Sequence, residues 1–221
     1  MSRKTSTRYV PVAALFAGML LCTAGLVSAA REQVQSHPKT ASIDLRAAKS
    51  LGSKSAPITM EIFSDYQCPF CRSFYFDATE QVIKNFVDTG KVYIIYHDFP
   101  WDFHAHSMEA ARLANAAAEI GKFHEVETVL YSTQDSWETT GRLEDAVASV
   151  LSPADLKRVE ALRTKPEIQA AIDQDVSLAK QRNVNETPSI FVTYKGQMSQ
   201  IPAKGASYNF LRQYFDYLLT H

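Results

Sequence analysis

Apolar positions along this 221-residue chain follow two periods, and the switches between them predict the order of its elements. Ile58 to Phe63 is a short strand-forming run, closed by the turn-like Ser64-Asp65-Tyr66-Gln67. From Pro69, whose fixed φ suits a first helical position, Phe70, Phe74, Val82 and Phe86 give a helical stripe ending near Gly90. Lys91 to Phe99 then contains the unbroken apolar run Val92 to Tyr96, the mark of a buried strand. Residues 105–120, 122–132 and 142–151 read as helices, whereas Ser132 to Thr140 fits neither period. Ser152-Pro153-Ala154-Asp155 is a helix start, with a capping Ser, Pro at the first position and an acid in the first turn. Thr164-Lys165-Pro166-Glu167 opens another helix, whose Ile168, Ile172 and Val176 share one face. Ser189–Tyr194 and Gln197–Ile201 read as a hairpin about Lys195-Gly196. A last amphipathic helix over Ser207–Leu219 is expected to turn Phe210, Leu211, Tyr214 and Leu218 inward. Strand, helix, strand, a long helical block, two strands and a helix make an α/β chain.

The N-terminus has a different character. Arg3, Lys4 and Arg8 precede an uncharged run from Val10 to Val27, with the small residues Ser28 and Ala30 at its end. This is the pattern of a secretory signal; an uncleaved membrane anchor is the alternative. Either way the folded part is expected outside the cytoplasm, periplasmic or secreted, because the positive end stays inside. Residues 31–50 are polar and read as a linker, and Gly52, Ser53 and Pro57 mark the entrance to a domain over 51–221. Hydrophobic residues make up 46% of the chain, enough for a core. Three of the 23 basic side chains and none of the 24 acidic ones lie in residues 1–30, so the remainder is net −4. A mildly acidic body argues against nucleic acid as a partner.

Cys22 falls in the N-terminal run, which leaves Cys68 and Cys71 as the cysteines of the domain. A disulfide between them closes almost no loop, so chain entropy gives it little structural value and redox chemistry explains the pair better. Cys68 directly precedes Pro69 at the head of a predicted helix, where the helix dipole and free N–H groups favour a thiolate. Cys71, three residues on, lies on the same face and can resolve a mixed disulfide on Cys68. Cys68 is therefore expected to be the exposed, attacking thiol and Cys71 the more buried one. Such exchange asks for no cofactor. The competing reading is a metal-binding or metal-chaperone module using Cys68, Cys71 and a histidine drawn from His97, His104 or His106.

The run from Ile58 to Cys71, ending Ser-Asp-Tyr-Gln-Cys-Pro-Phe-Cys, resembles the active-site segment of the DsbA-like thioredoxin-fold oxidoreductases. So do Tyr93–Pro100 with His104 and the alanine-rich 107–118, Gly121-Lys122-Phe123-His124, and Val184 to Val192 around Thr187-Pro188. The resemblance implies a thioredoxin-like fold, a central mixed sheet flanked by helices, with an all-helical insertion at about 104–180. It implies an exported thiol:disulfide oxidoreductase, most simply an oxidase of reduced or misfolded exported proteins, recycled by a membrane redox partner. A reductase or isomerase kept reduced by a membrane donor is the alternative direction. It also implies that Pro188 is cis and faces the cysteines, and that the Thr187 backbone pairs with a bound peptide.

Two positions depart from the family pattern. Relatives place an acid six residues before the first cysteine, where it can take the buried thiol's proton; here that position is Ile62, and the acid is Glu61 beside it. Strand alternation sends neighbours to opposite faces, so Glu61 is either a solvated or edge residue turned from the cysteines or a modulator of the pair. Phe70 stands where the strongest oxidants carry histidine, which predicts a less depressed Cys68 pKa and a milder oxidant. Tyr66, Phe70 and Trp101 are expected to form an apolar docking surface beside the Cys68-Pro69 turn.

Overall fold

The computed structural model describes residues 44–221. The expected signal or anchor at 1–30, and the expected linker up to residue 43, lie outside the described residues. A four-stranded mixed sheet forms the centre, in the order β2-β1-β3-β4. Strand β1 is Ile58–Ser64, β2 Val92–Asp98, β3 Ser189–Tyr194 and β4 Gln197–Ile201. Strands β1 and β2 run parallel, with Ile62 opposite Tyr96, while β3 lies antiparallel to both β1 and β4. The β3–β4 hairpin turns through Lys195 (φ 47°) and Gly196 (φ 77°). Two left-handed residues in succession match the right-handed twist of paired strands.

Nine helices surround the sheet among the described residues: α1 (Leu45–Ala48), α2 (from Pro69–Phe74), α3 (Ser107–Ala118), α4 (Phe123–Ser132), α5 (Gln134–Trp137), α6 (Leu143–Ala148), α7 (Pro153–Leu162), α8 (Pro166–Gln181) and α9 (Tyr208–Thr220). Helix α2 continues to Val87 through two wider π turns, Tyr75–Thr79 and Ile83–Val87, with one α turn at Glu80–Val82 between them. Helices α3 to α8 form the inserted helical region between β2 and β3, as the resemblance implied. Local chemistry sets their ends. Ser152 caps α7 by accepting the Asp155 N–H, and Ser207 caps α9 by accepting the Phe210 N–H, each of which satisfies a donor the helix leaves free.

The core divides between the two faces of the sheet. Ile58, Met60 and Ile62 of β1 join the larger cluster with Phe74, Val82, Phe86 and Phe215. Phe63 joins the smaller one with Phe99, Phe191, Ala179 and Val184, under α8. Period-2 alternation thus sends Ile62 and Phe63 to opposite faces. In α9 Leu211 and Phe215 are buried and Tyr214 and Leu218 pack partly against the core, as expected; Phe210, expected inward, is exposed.

The end of the expected linker is folded. Leu45–Ala48 form α1, which Asp44 caps, and Leu51 bridges to Ile94 at the sheet edge. A buried charge anchors this segment. Lys49 Nζ donates to Asp175 Oδ2 of α8 at 2.9 Å and to Asp98 of β2. The network continues through His97, whose Nδ1 is 2.7 Å from Asp175 and whose Nε2 is 3.1 Å from Glu61, to Arg182, which donates to Glu61 at 2.8 Å. Burial works against the charge of Lys49, but the two carboxylates outweigh it and hold its pKa above the ordinary lysine value. Burial likewise works against Asp175, and Lys49 and His97 hold it well below the carboxylate range.

Removing one member of a buried ion cluster strands the others. Lys49→Ala is expected to cost about 3–5 kcal/mol in urea unfolding, whereas Arg142→Ala, which breaks an exposed pair with Asp145, should cost below about 1 kcal/mol. Because Asp175 is depressed in the folded state, its contribution is present above about pH 4 and lost as pH falls below that value. His97 is raised, so its contribution is full below about pH 6.5 and fades as pH climbs through the folded value. Unfolding midpoints measured across pH should show both limbs, and Asp175→Asn should flatten the acid one.

Candidate active site

Strand β1 ends at Ser64, and the next four residues carry the chain to α2. Cys68 is the N-cap residue of α2, in extended conformation (φ −76°, ψ 120°), with Pro69 at the first helical position. Its side chain makes no capping bond to the helix, so the sulfur stays available while the first-turn N–H groups face it. Cys71 lies one turn on. Both cysteines are free thiols. Cys71 is 1% exposed, as expected; Cys68 is only 5% exposed, less open than the sequence reading held, because the Thr187-Pro188 loop comes against it.

The Thr187–Pro188 bond is cis. The Cys68 thiol donates to the Thr187 carbonyl at 3.4 Å, a contact open only to the protonated sulfur. Trp101 Nε1 donates to Thr187 Oγ1 at 2.9 Å, which occupies that oxygen as an acceptor and leaves its own O–H free to turn toward Cys68.

The two sulfurs ionise very differently. The hydrogen bond from Cys71 is the largest influence on Cys68; burial opposes it, and the Thr187 side chain and the N–H groups of Cys71 and Phe70 add to it, bringing the Cys68 pKa down to about 6. Burial is the largest influence on Cys71, and its hydrogen bond to Cys68 and the charge of that neighbour push it further, well above the ordinary thiol range. At neutral pH this is one thiolate stabilised by one thiol.

Asp65, which the sequence reading treated only as part of a turn, organises the loop. Its buried carboxylate accepts from the Gln67 N–H at 2.7 Å, the Trp101 N–H at 2.8 Å, His104 Nδ1 at 2.9 Å and the Ser107 hydroxyl. One side chain thereby ties the cysteine turn to the β2–α3 connection and the start of α3. Gln134 of α5 adds a second tie, donating to the Tyr66 carbonyl at 2.6 Å and the Cys68 carbonyl at 3.3 Å. An Asp two residues before an N–H it can accept is the signature of an Asx turn, the one local signal that could have singled out Asp65.

The other expected residues separate. Phe70 is 73% exposed and Trp101 half-buried, so both can meet a partner. Tyr66 cannot; it is buried against Tyr131, ring centroids 5.1 Å apart, and belongs to the core rather than a docking surface. Phe103 is 74% exposed and stacks on Trp101 at 5.4 Å. Glu61 points to the α8 face, toward His97 and Arg182, on the side opposite Ile62 and the cysteines. His97 is committed to Glu61 and Asp175, and His104 to Asp65. A groove of about 690 Å³ runs beside the turn, lined by Phe70, Phe74, Ala78, Thr187, Pro188 and Tyr208.

Replacing Thr187 by Val removes the hydroxyl and keeps the shape, which should raise the pH midpoint of Cys68 alkylation by about one unit. Phe70→Ala loses a solvent-facing ring but keeps its N–H and should leave the midpoint in place. Iodoacetamide rates against pH read both.

Known proteins share this arrangement at two levels. The family model described as thioredoxin matches residues 46–202. Disulfide bond formation protein D of Bacillus subtilis is 30% identical over 154 residues, 66% of this chain and 67% of that protein. The oxidised crystal structure of BdbD from Bacillus subtilis superposes with a TM-score of 0.64 at 25% identity, covering 78% of this chain and 93% of the other. A Na(+)/H(+) antiporter NhaA 3 of Salinispora tropica is 32% identical over 142 residues, but the match spans only 21% of that longer protein. With its mixed sheet, helical insertion and matched residues running from α1 past β4, this chain belongs to the thioredoxin family and is a DsbA-like thiol:disulfide oxidoreductase.

Proposed function

We propose that the Cys68–Cys71 pair oxidises thiols of exported proteins, with Cys68 forming the mixed disulfide and Cys71 as the thiol released when it forms. The observation that carries this reading is the split between the two thiols, about 6 for Cys68 against well above the ordinary value for Cys71. A substrate thiolate attacks the disulfide at Cys68; the Cys68–Cys71 bond breaks and Cys71 leaves with the electron pair. A second substrate thiolate, or the first substrate's own partner cysteine, then displaces Cys68, the better leaving group because its thiolate is the more stable. The substrate departs oxidised and the pair reduced.

Stabilising one thiolate stabilises the reduced pair, which makes its disulfide the stronger oxidant. Phe70 offers no side-chain donor to that thiolate, in keeping with a mild oxidant rather than an extreme one. The groove beside Thr187 and Pro188 suits an extended peptide, with Thr187 supplying backbone groups and Phe70, Trp101 and Phe103 an adaptable apolar rim. Export rests on Arg3, Lys4, Arg8 and the uncharged run behind them. No helix of the described residues is long and apolar enough to cross a membrane. A pair that leaves each turnover reduced needs reoxidation, and a membrane redox partner is the reading for that role.

Equilibration with glutathione should place the couple on the oxidising side of thioredoxin's value of about −270 mV and short of about −120 mV, the DsbA value. A potential at or below thioredoxin's would reverse the direction to a reductase. With a single-cysteine peptide disulfide, Cys71→Ser should accumulate a mixed disulfide and Cys68→Ser none.

A further inference from the structure

Cys71 is enclosed, yet each exchange places an electron pair on its sulfur. It leaves as a thiolate when a substrate attacks Cys68, and it attacks as one when that step runs in reverse. A charge formed where solvent cannot reach it needs a donor already in place. The Asp65 N–H is such a donor, 3.5 Å from Cys71 Sγ. The Asp65 carbonyl, on the other side of the same residue, accepts the Cys68 N–H at 3.2 Å. One residue thus grips both cysteines through its backbone, the first by its carbonyl and the second by its N–H.

The sheet does not hold that N–H in place. Pairing of β1 with β3 ends at Phe63 and with β2 at Ser64, whose carbonyl accepts the Phe99 N–H at 2.8 Å. Asp65 lies one residue beyond, so its backbone takes its orientation from its side chain. Oδ1 accepts from the Gln67 N–H at 2.7 Å and from the Ser107 hydroxyl. Oδ2 accepts from the Trp101 N–H at 2.8 Å and from His104 Nδ1 at 2.9 Å. The carboxylate is fully buried, and no Lys or Arg pairs with it among the described residues. Those four donors are therefore what keeps it solvated, and turning away from them would leave a buried charge and its donors unsatisfied. A side chain pinned at both oxygens fixes the peptide it hangs from.

We propose that Asp65 is the positioning residue of Cys71: its anchored carboxylate holds its own N–H on the Cys71 sulfur, as the donor to the thiolate formed there during exchange. The proposal rests on Cys68 and Cys71 being the redox pair. A substrate thiolate bonds to Cys68 Sγ, the Cys68–Cys71 bond breaks, and its electron pair passes to Cys71 Sγ, where the Asp65 N–H meets it; solvent supplies the proton afterwards. In reverse, the Cys71 thiol gives its proton to solvent, the thiolate attacks Cys68 Sγ, and the substrate sulfur leaves with the electron pair. The amide proton stays on Asp65 throughout, so the same hydrogen bond lowers the barrier in both directions. Burial holds Cys71 well above the ordinary thiol range, and the Asp65 N–H is among the groups that work against that rise. Cys68 draws instead on Cys71, Thr187 and the N–H groups of Cys71 and Phe70, so the effect of Asp65 falls on the second sulfur.

The test is the stopped-flow reaction of the reduced full chain with the aromatic disulfide dithiobis(nitrobenzoate). Coloured thiolate should be released in two phases. One scales with reagent concentration and reports attack by Cys68; the other does not, and reports attack by Cys71 on the mixed disulfide at Cys68. Cys71→Ser should keep the first phase and lose the second, which assigns them. Asp65→Asn keeps the size of the side chain but sets an amide donor against donors. It should slow the second phase roughly tenfold, displacing its pH profile upward by about one unit, and leave the first phase in place. Ser107→Ala removes one of the four donors, keeps the carboxylate, and should slow the second phase by about threefold; it carries the test if Asp65→Asn does not fold. A second phase as fast in the folded variants as in wild type, or both phases slowed alike, overturns the proposal while the redox pair stands. Wild-type protein that releases thiolate in the first phase alone overturns the pair and the proposal together.

Discussion

Two sulfurs three residues apart share one proton unequally, and the structure around them is arranged to keep it so. Cys68 caps a helix without bonding to it, so the first-turn N–H groups stand ready for a negative charge. Cys71, one turn deeper, is enclosed by the apolar core and cannot ionise cheaply, so it donates to Cys68 instead. Neither effect alone would separate the two. A pair equally exposed would titrate as a coupled couple near the ordinary thiol value, and a pair equally buried would stay protonated. The difference in solvation is what the proposed roles rest on, with Cys68 in the mixed disulfide and Cys71 as the thiol released.

That difference survives only if the turn bearing Cys68 cannot shift, and most of the fold serves this end. Asp65 collects four donors from three segments, Gln134 of the insertion holds two carbonyls of the turn, and Trp101 orients Thr187 against the sulfur. The helical insertion is thus more than a cover, because it supplies α3 and α5 contacts the turn depends on. The ion cluster of Lys49, Asp98, Asp175, His97, Glu61 and Arg182 ties α1, β1, β2 and the end of α8 into one block. The sheet therefore presents an unyielding edge from which the cysteine turn projects.

Element order was legible because hydrophobic period is a local property. The strand at Ile58, the Pro69 helix start, the Ser152 cap and the Lys195-Gly196 turn each announce themselves within a few residues. The two cysteines were legible for the same reason, with their spacing and the proline between them. Partnerships across long separations were not. Nothing near Lys49 signals that residues 98 and 175 close around it, so a polar stretch read as linker and proved partly to be core. Asp65 looked like turn chemistry until Trp101, His104 and Ser107 folded onto it. Tyr66 moved from expected surface to core because aromatic side chains suit both, and only tertiary packing chooses. The same limit applies to Cys68, whose position was read correctly but whose cover, the Thr187-Pro188 loop, arrives from 119 residues away.

The unequal ionisation of the two sulfurs can be observed directly. Carbon-13 labelling of the cysteine β-carbons lets both thiols be titrated by NMR in one sample of the reduced protein, without chemical modification. The account predicts that Cys68 titrates with a midpoint near 6 while Cys71 remains protonated far into the alkaline range. Two sulfurs that ionise together near the ordinary thiol value, or Cys71 ionising first, would contradict it.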